Sequence, residues 1–172
     1  MLYIFLDCDG VINNKQTFLE MAKNRKETGI HSDPIDKKNM DILADFIHKH
    51  NAKVVLSSSW RAGLNDDLTP EYPDGGCARL LKALKENNIE LVGKTDRLYD
   101  PDYWERANEI LKYVEDNLSS DDNYIIFDDD DVYGEGRESD REKIDRHFVK
   151  TSFETGLTEE HILKAERFLN NN

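Results

Sequence analysis

The chain has 172 residues and is 38% hydrophobic, which suits one domain with a sizeable core. Its 23 basic and 36 acidic residues leave a net charge of −13, which disfavours broad electrostatic binding to nucleic acid or an anionic membrane but leaves room for a local basic cleft. No apolar run reaches membrane length, the N-terminus enters a strand without a signal peptide, and Cys8 and Cys77 form no C-x-x-C pair, so the expectation is a cytoplasmic protein without disulfides or structural zinc.

The first strand is the apolar run Leu2 to Leu6, which stops at Asp7-Cys8-Asp9-Gly10. Such a short, bounded run reads as a strand buried on both faces. Burying two carboxylates costs too much, so these acids belong at the strand end, within reach of water or a cation. Residues 11–35 begin apolar and turn polar, with Lys23, Arg25 and Lys26 in the middle. They read as a loop or small helical excursion over the strand edge, with one helix around Thr17 to Lys23, and are a candidate small cap or flap. Asp36 caps a helix over 36–49, where Met40, Leu43, Ala44 and Ile47 keep helical spacing. Lys53 to Leu56 is a second strand, ending at Ser57-Ser58-Ser59-Trp60-Arg61, and 63–76 reads as loop. Cys77 to Glu86 is a helix striped by Leu80, Leu81 and Leu84. Ile89 to Val92 is a third strand ending at Gly93-Lys94-Thr95. Asp102 to Asn117 is a helix with Ala107, Ile110, Leu111 and Val114 inward, and Asn123 to Phe127 a fourth strand that runs into Asp128 to Asp131. Residues 133–144 read as a loop with a helical turn and His147 to Lys150 as a fifth strand. Thr158 caps a last helix to Leu169, whose first-turn Glu159 and Glu160 favour the dipole. Strands alternating with helices predict an α/β fold: a three-layer, Rossmann-like, mostly parallel sheet with helices on both faces. The whole of 1–172 reads as a single domain with a small or absent cap.

Three strands end in apt chemistry: Asp7 and Asp9, then Ser57, then Asp128 and Asp129. In a parallel sheet those ends share one edge, where ligands bind. Carboxylates from two strands suit Mg²⁺, which takes oxygen ligands and keeps water and substrate phosphate in its shell. A carboxylate beside such a cation is a plausible nucleophile for phosphoryl groups, a hydroxyl can bond a phosphoryl oxygen, and a Lys or Arg would offset transition-state charge.

These residues resemble the haloacid dehalogenase (HAD) superfamily over most of the chain. Asp7-Cys8-Asp9-Gly10-Val11 after an apolar strand is similar to its first motif, D-x-D-G-[VT]. The resemblance implies Asp7 as nucleophile, giving an aspartyl-phosphate, and Asp9 as general acid and then base. Ser57 matches the second motif and, with Ser58 and Arg61, is implied at the phosphate. Asp128-Asp129 matches the fourth motif, which binds Mg²⁺ together with Asp7 and the backbone carbonyl of Asp9. Arg106 is the first choice for the third-motif cation and Lys94 the second. Leu56-Ser-Ser-Ser-Trp-Arg61, Arg106-x-x-Glu109-Ile110, the acid pair and Thr155-Gly156-Leu157-Thr158 look like a small HAD subgroup associated with RNA-repair operons and polynucleotide-phosphatase-like domains. The function implied is a Mg²⁺-dependent phosphomonoesterase acting on a small phosphoester or a phosphorylated nucleic-acid end. The alternatives are a phosphotransferase of the same superfamily, a receiver-like domain, or a non-catalytic divalent-cation binder. The receiver reading wants its phosphoacceptor Asp at a middle strand end, where this chain has Ser57 and Gly93-Lys94.

Blander readings compete at several positions. Asp129 to Asp140 imitates a calcium loop, but Tyr133 takes the fifth place, Asp stands where Glu belongs, and a strand precedes it. Gly93-Lys94-Thr95 hints at a P-loop, yet Asn88 occupies the first glycine position. Asp130 and Asp131 read as solvent-facing, and Lys23, Arg25 and Lys26 as a solvated face. His31, His48, His50, His147 and His161 show no metal spacing. Trp60 and Trp104 suit core packing, although Trp60, beside the site, also suits a base-stacking platform.

Overall fold

The computed structural model describes residues 1–29, 34–98, 106–132 and 138–170. Five strands, β1 (Leu2–Leu6), β2 (Lys53–Leu56), β3 (Leu91–Lys94), β4 (Asn123–Asp128) and β5 (Phe148–Lys150), pair in parallel in the order β3-β2-β1-β4-β5. The helices are α1 (Lys15–Thr28), α2 (Lys37–His50), α3 (Gly76–Glu86), α4 (Arg106–Asn117), α5 (Glu138–Asp145) and α6 (Glu159–Asn170).

The uninterrupted apolarity of β1 explains its central place. Ile4 and Leu6, with Val54, Leu56, Ile125 and Phe127, face α2, α3 and α6. Phe5, Val55, Tyr124 and Ile126 face α4 and α5. Alternation along each strand thus feeds two separate cores, which is why no polar stripe appears in the sequence. The chain runs outward from β1 through β2 to β3, then returns to the other side of β1 for β4. The direction reverses between β1 and β4, and crevices for ligands open at the carboxyl ends of strands at such a point.

Several element bounds differ from the sequence expectation. The helix expected around Thr17 to Lys23 spans fourteen residues, Lys15–Thr28. Asn14 caps it by accepting from Thr17 N, and Gly29, left-handed at φ 72°, ends it. Among its side chains only Thr17 is buried, so the helix has no apolar stripe for periodicity to detect. The third strand lies two residues later than expected. Ile89 N donates to Leu84 O and closes α3, while ladder pairing continues to Lys94, opposite Leu56. The helix expected over 102–117 is described from Arg106, since 102–105 lie outside the described residues. At the start of α6 the cap works in reverse: Thr158 N donates to His161 Nδ1 at 3.0 Å, the back-reaching arm of a capping box. No helix among the described residues is long and apolar enough to cross a membrane.

Candidate active site

Strand β1 delivers Asp7 and Asp9 in different ways. Asp7 N donates to Phe127 O at 3.0 Å, so the first acid is still held in the sheet, beside the end of β4. The chain then turns. Val11 N and Ile12 N both return to Cys8 O, and Gly10 takes φ 70°. A Cβ at Gly10 would lie 2.3 Å from Asp129 Cγ, so only glycine lets the two strand ends approach this closely. Thr151, just past β5, secures the turn from the other side: its hydroxyl donates to Gly10 O at 2.7 Å.

The approach of the strand ends concentrates negative charge. Asp7, Asp128 and Asp129 each offer an oxygen within 4.8 Å of the others. Asp7 and Asp128 are buried and Asp129 is half-buried, whereas Asp130 and Asp131 face solvent. Arg106, the first residue of α4, donates from Nη1 to Asp7 Oδ1 at 3.0 Å and to Asp128 Oδ2 at 2.7 Å. One cation does not balance three acids. Burial pushes the Asp128 carboxyl up to about 7, and the charge of Asp7 adds to this against the pull of Arg106. Burial and Asp7 raise Asp129 to about 6. Asp7 is also raised by burial, though Arg106 opposes it. Burial disfavours the Arg106 charge, yet Asp128 and Asp7 hold its pKa above the ordinary value. A set of converging carboxylate oxygens with excess negative charge fits a hard dication such as Mg²⁺.

Asp9 stands outside that trio. Its Oδ1 accepts from Asn13 Nδ2 at 2.8 Å and its Oδ2 from the Trp60 indole Nε1 at 3.1 Å. Asn13 is itself fixed, since its Oδ1 accepts from Gly10 N at 3.0 Å. Both carboxylate oxygens of Asp9 are therefore oriented by neutral donors. Of Asp9, the backbone carbonyl is left as the metal ligand that the family resemblance implies.

Strand β2 ends in a buried hydroxyl without a partner. Ser57 N donates to Leu6 O at 3.0 Å, which sets Ser57 directly beside Asp7. Ser57 Oγ, Thr95 Oγ1 and Arg61 Nε are the buried side-chain atoms without a hydrogen-bond partner among the described residues. Thr95 lies just past the neighbouring strand, with its N on Leu56 O. Ser58 Oγ caps the short 3-10 turn Ser59–Gly63 by accepting from Trp60 N, and its hydroxyl also helps to lower Asp7.

Two residues expected at the phosphate or the transferring group are engaged elsewhere. Arg61 donates from Nη1 to Ser57 O (2.8 Å) and Ser58 O (2.9 Å), and from Nη2 to Glu109 Oε2 at 2.6 Å. A buried guanidinium beside backbone carbonyls serves as a clamp on the turn, a use that sequence alone does not distinguish from phosphate binding. Lys94 donates to Leu64 O at 2.7 Å and lies 3.5 Å from Asp66, on the loop after β2. It is not brought to the carboxylates, because it ends the edge strand while Arg106 starts the helix that packs over β1 and β4. Asn13 is the side chain here to which the sequence reading gives no part; Trp60 is placed beside the site and Glu109 in the Arg106-x-x-Glu109 motif, but their partners Asp9 and Arg61 are not foreseen. Asn13 had a weak signal, four residues after Asp9 in a turn. Glu109 had another, an acid on the inward face of α4 beside Ala107 and Ile110.

A parallel α/β sheet with acids at the ends of β1 and β4, a hydroxyl at the end of β2 and an arginine between the acids defines a HAD-type phosphatase or hydrolase domain. Residues 3–162 match the family described as the HAD domain in Swiss Army Knife RNA repair proteins, and the chain belongs to that family. No curated protein and no solved structure matches the chain.

Proposed function

We propose that this protein is a Mg²⁺-dependent phosphomonoesterase that works through an aspartyl-phosphate on Asp7 and acts on phosphorylated nucleic-acid ends. The observation that carries the reading is the convergence of Asp7, Asp128 and Asp129 within 4.8 Å, with Arg106 bonded to two of them. The description of the family as RNA-repair proteins supports the choice of substrate class.

Asp7, Asp128 and Asp129 would hold the ion with the carbonyl of Asp9. Bound there, Mg²⁺ supplies charge neutralisation for the phosphoryl oxygens. Asp7 attacks phosphorus, a P–O bond to Asp7 forms, and the bond to the leaving oxygen breaks. Asp9, aimed by Asn13 and Trp60, gives that oxygen its proton. Asp9 then takes a proton from water, whose oxygen attacks the phosphoenzyme and frees inorganic phosphate and Asp7. Arg106 offsets charge on Asp7 and on the transferring group, and the Ser57 hydroxyl donates to a phosphoryl oxygen. Arg61 positions the Ser57–Ser58 turn without touching substrate.

The test is hydrolysis of p-nitrophenyl phosphate with Mg²⁺, with EDTA, and by Asp7→Asn. Activity that needs Mg²⁺ and disappears in the variant supports the mechanism. Turnover that survives Asp7→Asn removes the nucleophile assignment. A panel of 5′- and 3′-phosphorylated oligonucleotides against small phosphoesters then tests the substrate class.

A further inference from the structure

We propose that the cavity beside Trp60 receives the base of the nucleoside whose phosphate is cleaved. The inference rests on the reading of Asp9 as proton donor to the leaving group. A side chain that protonates the leaving oxygen marks the side on which the leaving group lies. On that side an aromatic group is fixed, because the Trp60 indole N–H donates to Asp9 Oδ2 at 3.1 Å. The same indole lines a cavity of about 260 Å³, together with Gly63, Tyr72, Gly75, Gly76 and Cys77.

The lining argues for a planar, uncharged occupant. None of the six side chains carries a formal charge, two are aromatic, and three positions are glycine. A Cβ at Gly76 would lie 3.3 Å from Cε3 and Cζ3 of Trp60, so a side chain here would press on the six-membered ring of the indole and narrow the cavity. The Cys77 thiol donates to Trp60 O, which fixes the backbone that carries the ring. Tyr72 is 63% exposed, a large aromatic surface that the fold itself does not bury. The cavity is below the usual size for a drug-like ligand and suits a single base.

Net charge points the same way. At −13 the chain offers no general grip on a polynucleotide backbone, so recognition of an end has to come from contacts local to that end. Stacking of a base on an aromatic ring is such a contact: it needs no basic residue and tolerates any base. The consequence is an enzyme that prefers a terminal nucleotide to a bare sugar phosphate and shows little base preference.

The test compares two oligonucleotides with the same terminal phosphate, one on an ordinary nucleotide and one on an abasic residue. The expected result is at least about a ten-fold preference for the ordinary nucleotide in kcat/KM, carried mainly by KM. Tyr72→Ala lowers that ratio several-fold and Tyr72→Phe keeps it. Equal kcat/KM for the two substrates in the wild type overturns the base site and leaves the phosphatase reading standing. If neither substrate is hydrolysed, the nucleic-acid-end reading of the substrate fails, the phosphatase chemistry is judged by p-nitrophenyl phosphate, and the cavity is judged by binding. Asp7→Asn protein carrying Trp104→Phe keeps Trp60 as its one tryptophan. Indole quenching by adenosine monophosphate at concentrations at least ten-fold below those needed with ribose phosphate supports the site, and an equal response overturns it.

Discussion

Arg61 and Arg106 are both buried arginines at the carboxyl edge of the sheet, yet their surroundings differ in charge balance. Arg61 meets one acid, Glu109, with side chains 9% and 7% exposed. Two backbone carbonyls and Leu98 N, which donates to Glu109 Oε1, complete the group. Here one positive charge is bonded to one negative charge, with Arg97 and Arg106 adding weaker repulsion to Arg61 and Glu109 also attracting Arg106. Arg106 faces Asp7 and Asp128, with Asp129 close behind, and burial and repulsion hold Asp128 at about 7 and Asp129 at about 6. Desolvation makes a buried charge costly unless it is matched, so a complete pair reads as structure. An incomplete one reads as a place for something the chain does not itself provide.

The sharpest break between the two groups comes from removing one acid at each. Asp128→Asn relieves repulsion, so folding stability is kept or rises, while turnover falls on the order of 10³-fold or more. Phosphate-release assays and thermal melts on the same preparation check both halves. Glu109→Gln does the reverse to stability: it strands the buried Arg61 and costs about 3–5 kcal/mol in a urea titration. Replacing both partners, Arg61→Met with Glu109→Leu, recovers most of that loss, because well-packed apolar groups substitute for a buried pair at little net cost. Failure to recover would mean that Arg61 acts through its clamp on the Ser57 and Ser58 carbonyls more than through its pair.

How far this contrast was legible in the sequence depends on where the partners come from. Asp7, Asp9, Asp128 and Asp129 each follow an apolar run, so the run and its abrupt end place them on one edge. The parallel pairing of the strands follows from their alternation with helices, whereas their order does not. Arg106 and Lys94 both lie near strand or helix ends, and only the packing of α4 over β1 and β4 separates them. Arg61 is placed at the phosphate by the family resemblance, since it follows the serine that ends the second strand. Its partner Glu109 lies 48 positions away on a different helix. Trp60 reaches Asp9 across 51 positions. Helix α1 escaped for a local reason: its ends are marked by Asn14 and Gly29, but its faces carry no apolar stripe.

Adding the missing charge sharpens the comparison at smaller cost. Mg²⁺ at about 100 times its Kd stabilises a single-site protein by about 2.7 kcal/mol, a rise of roughly 5–10 °C in Tm for a chain of this size. Glu109→Gln keeps that rise, since its cluster has no place for the ion, and Asp128→Asn loses most of it. A differential scanning measurement with and without EDTA checks both.

The smallest effect is the pH dependence of the metal-free protein. Asp128 has a folded pKa raised from 3.8 to about 7, so the folded state holds a proton that the unfolded state gives up. Its contribution is fully present below about 4 and is lost as pH rises through 7. In EDTA, wild-type stability relative to Asp128→Asn therefore declines from pH 4 to pH 8. His147 acts with the opposite sign. Burial against Tyr124 lowers its pKa from 6.5, so its contribution is present above 6.5 and lost on acidification. Because His147 is common to both proteins, the difference between the two melting curves reports the carboxylate cluster of Asp7, Asp128 and Asp129. A difference that stays flat across this range would show that Arg106 alone balances the cluster, and the contrast between the two arginines would fall with it.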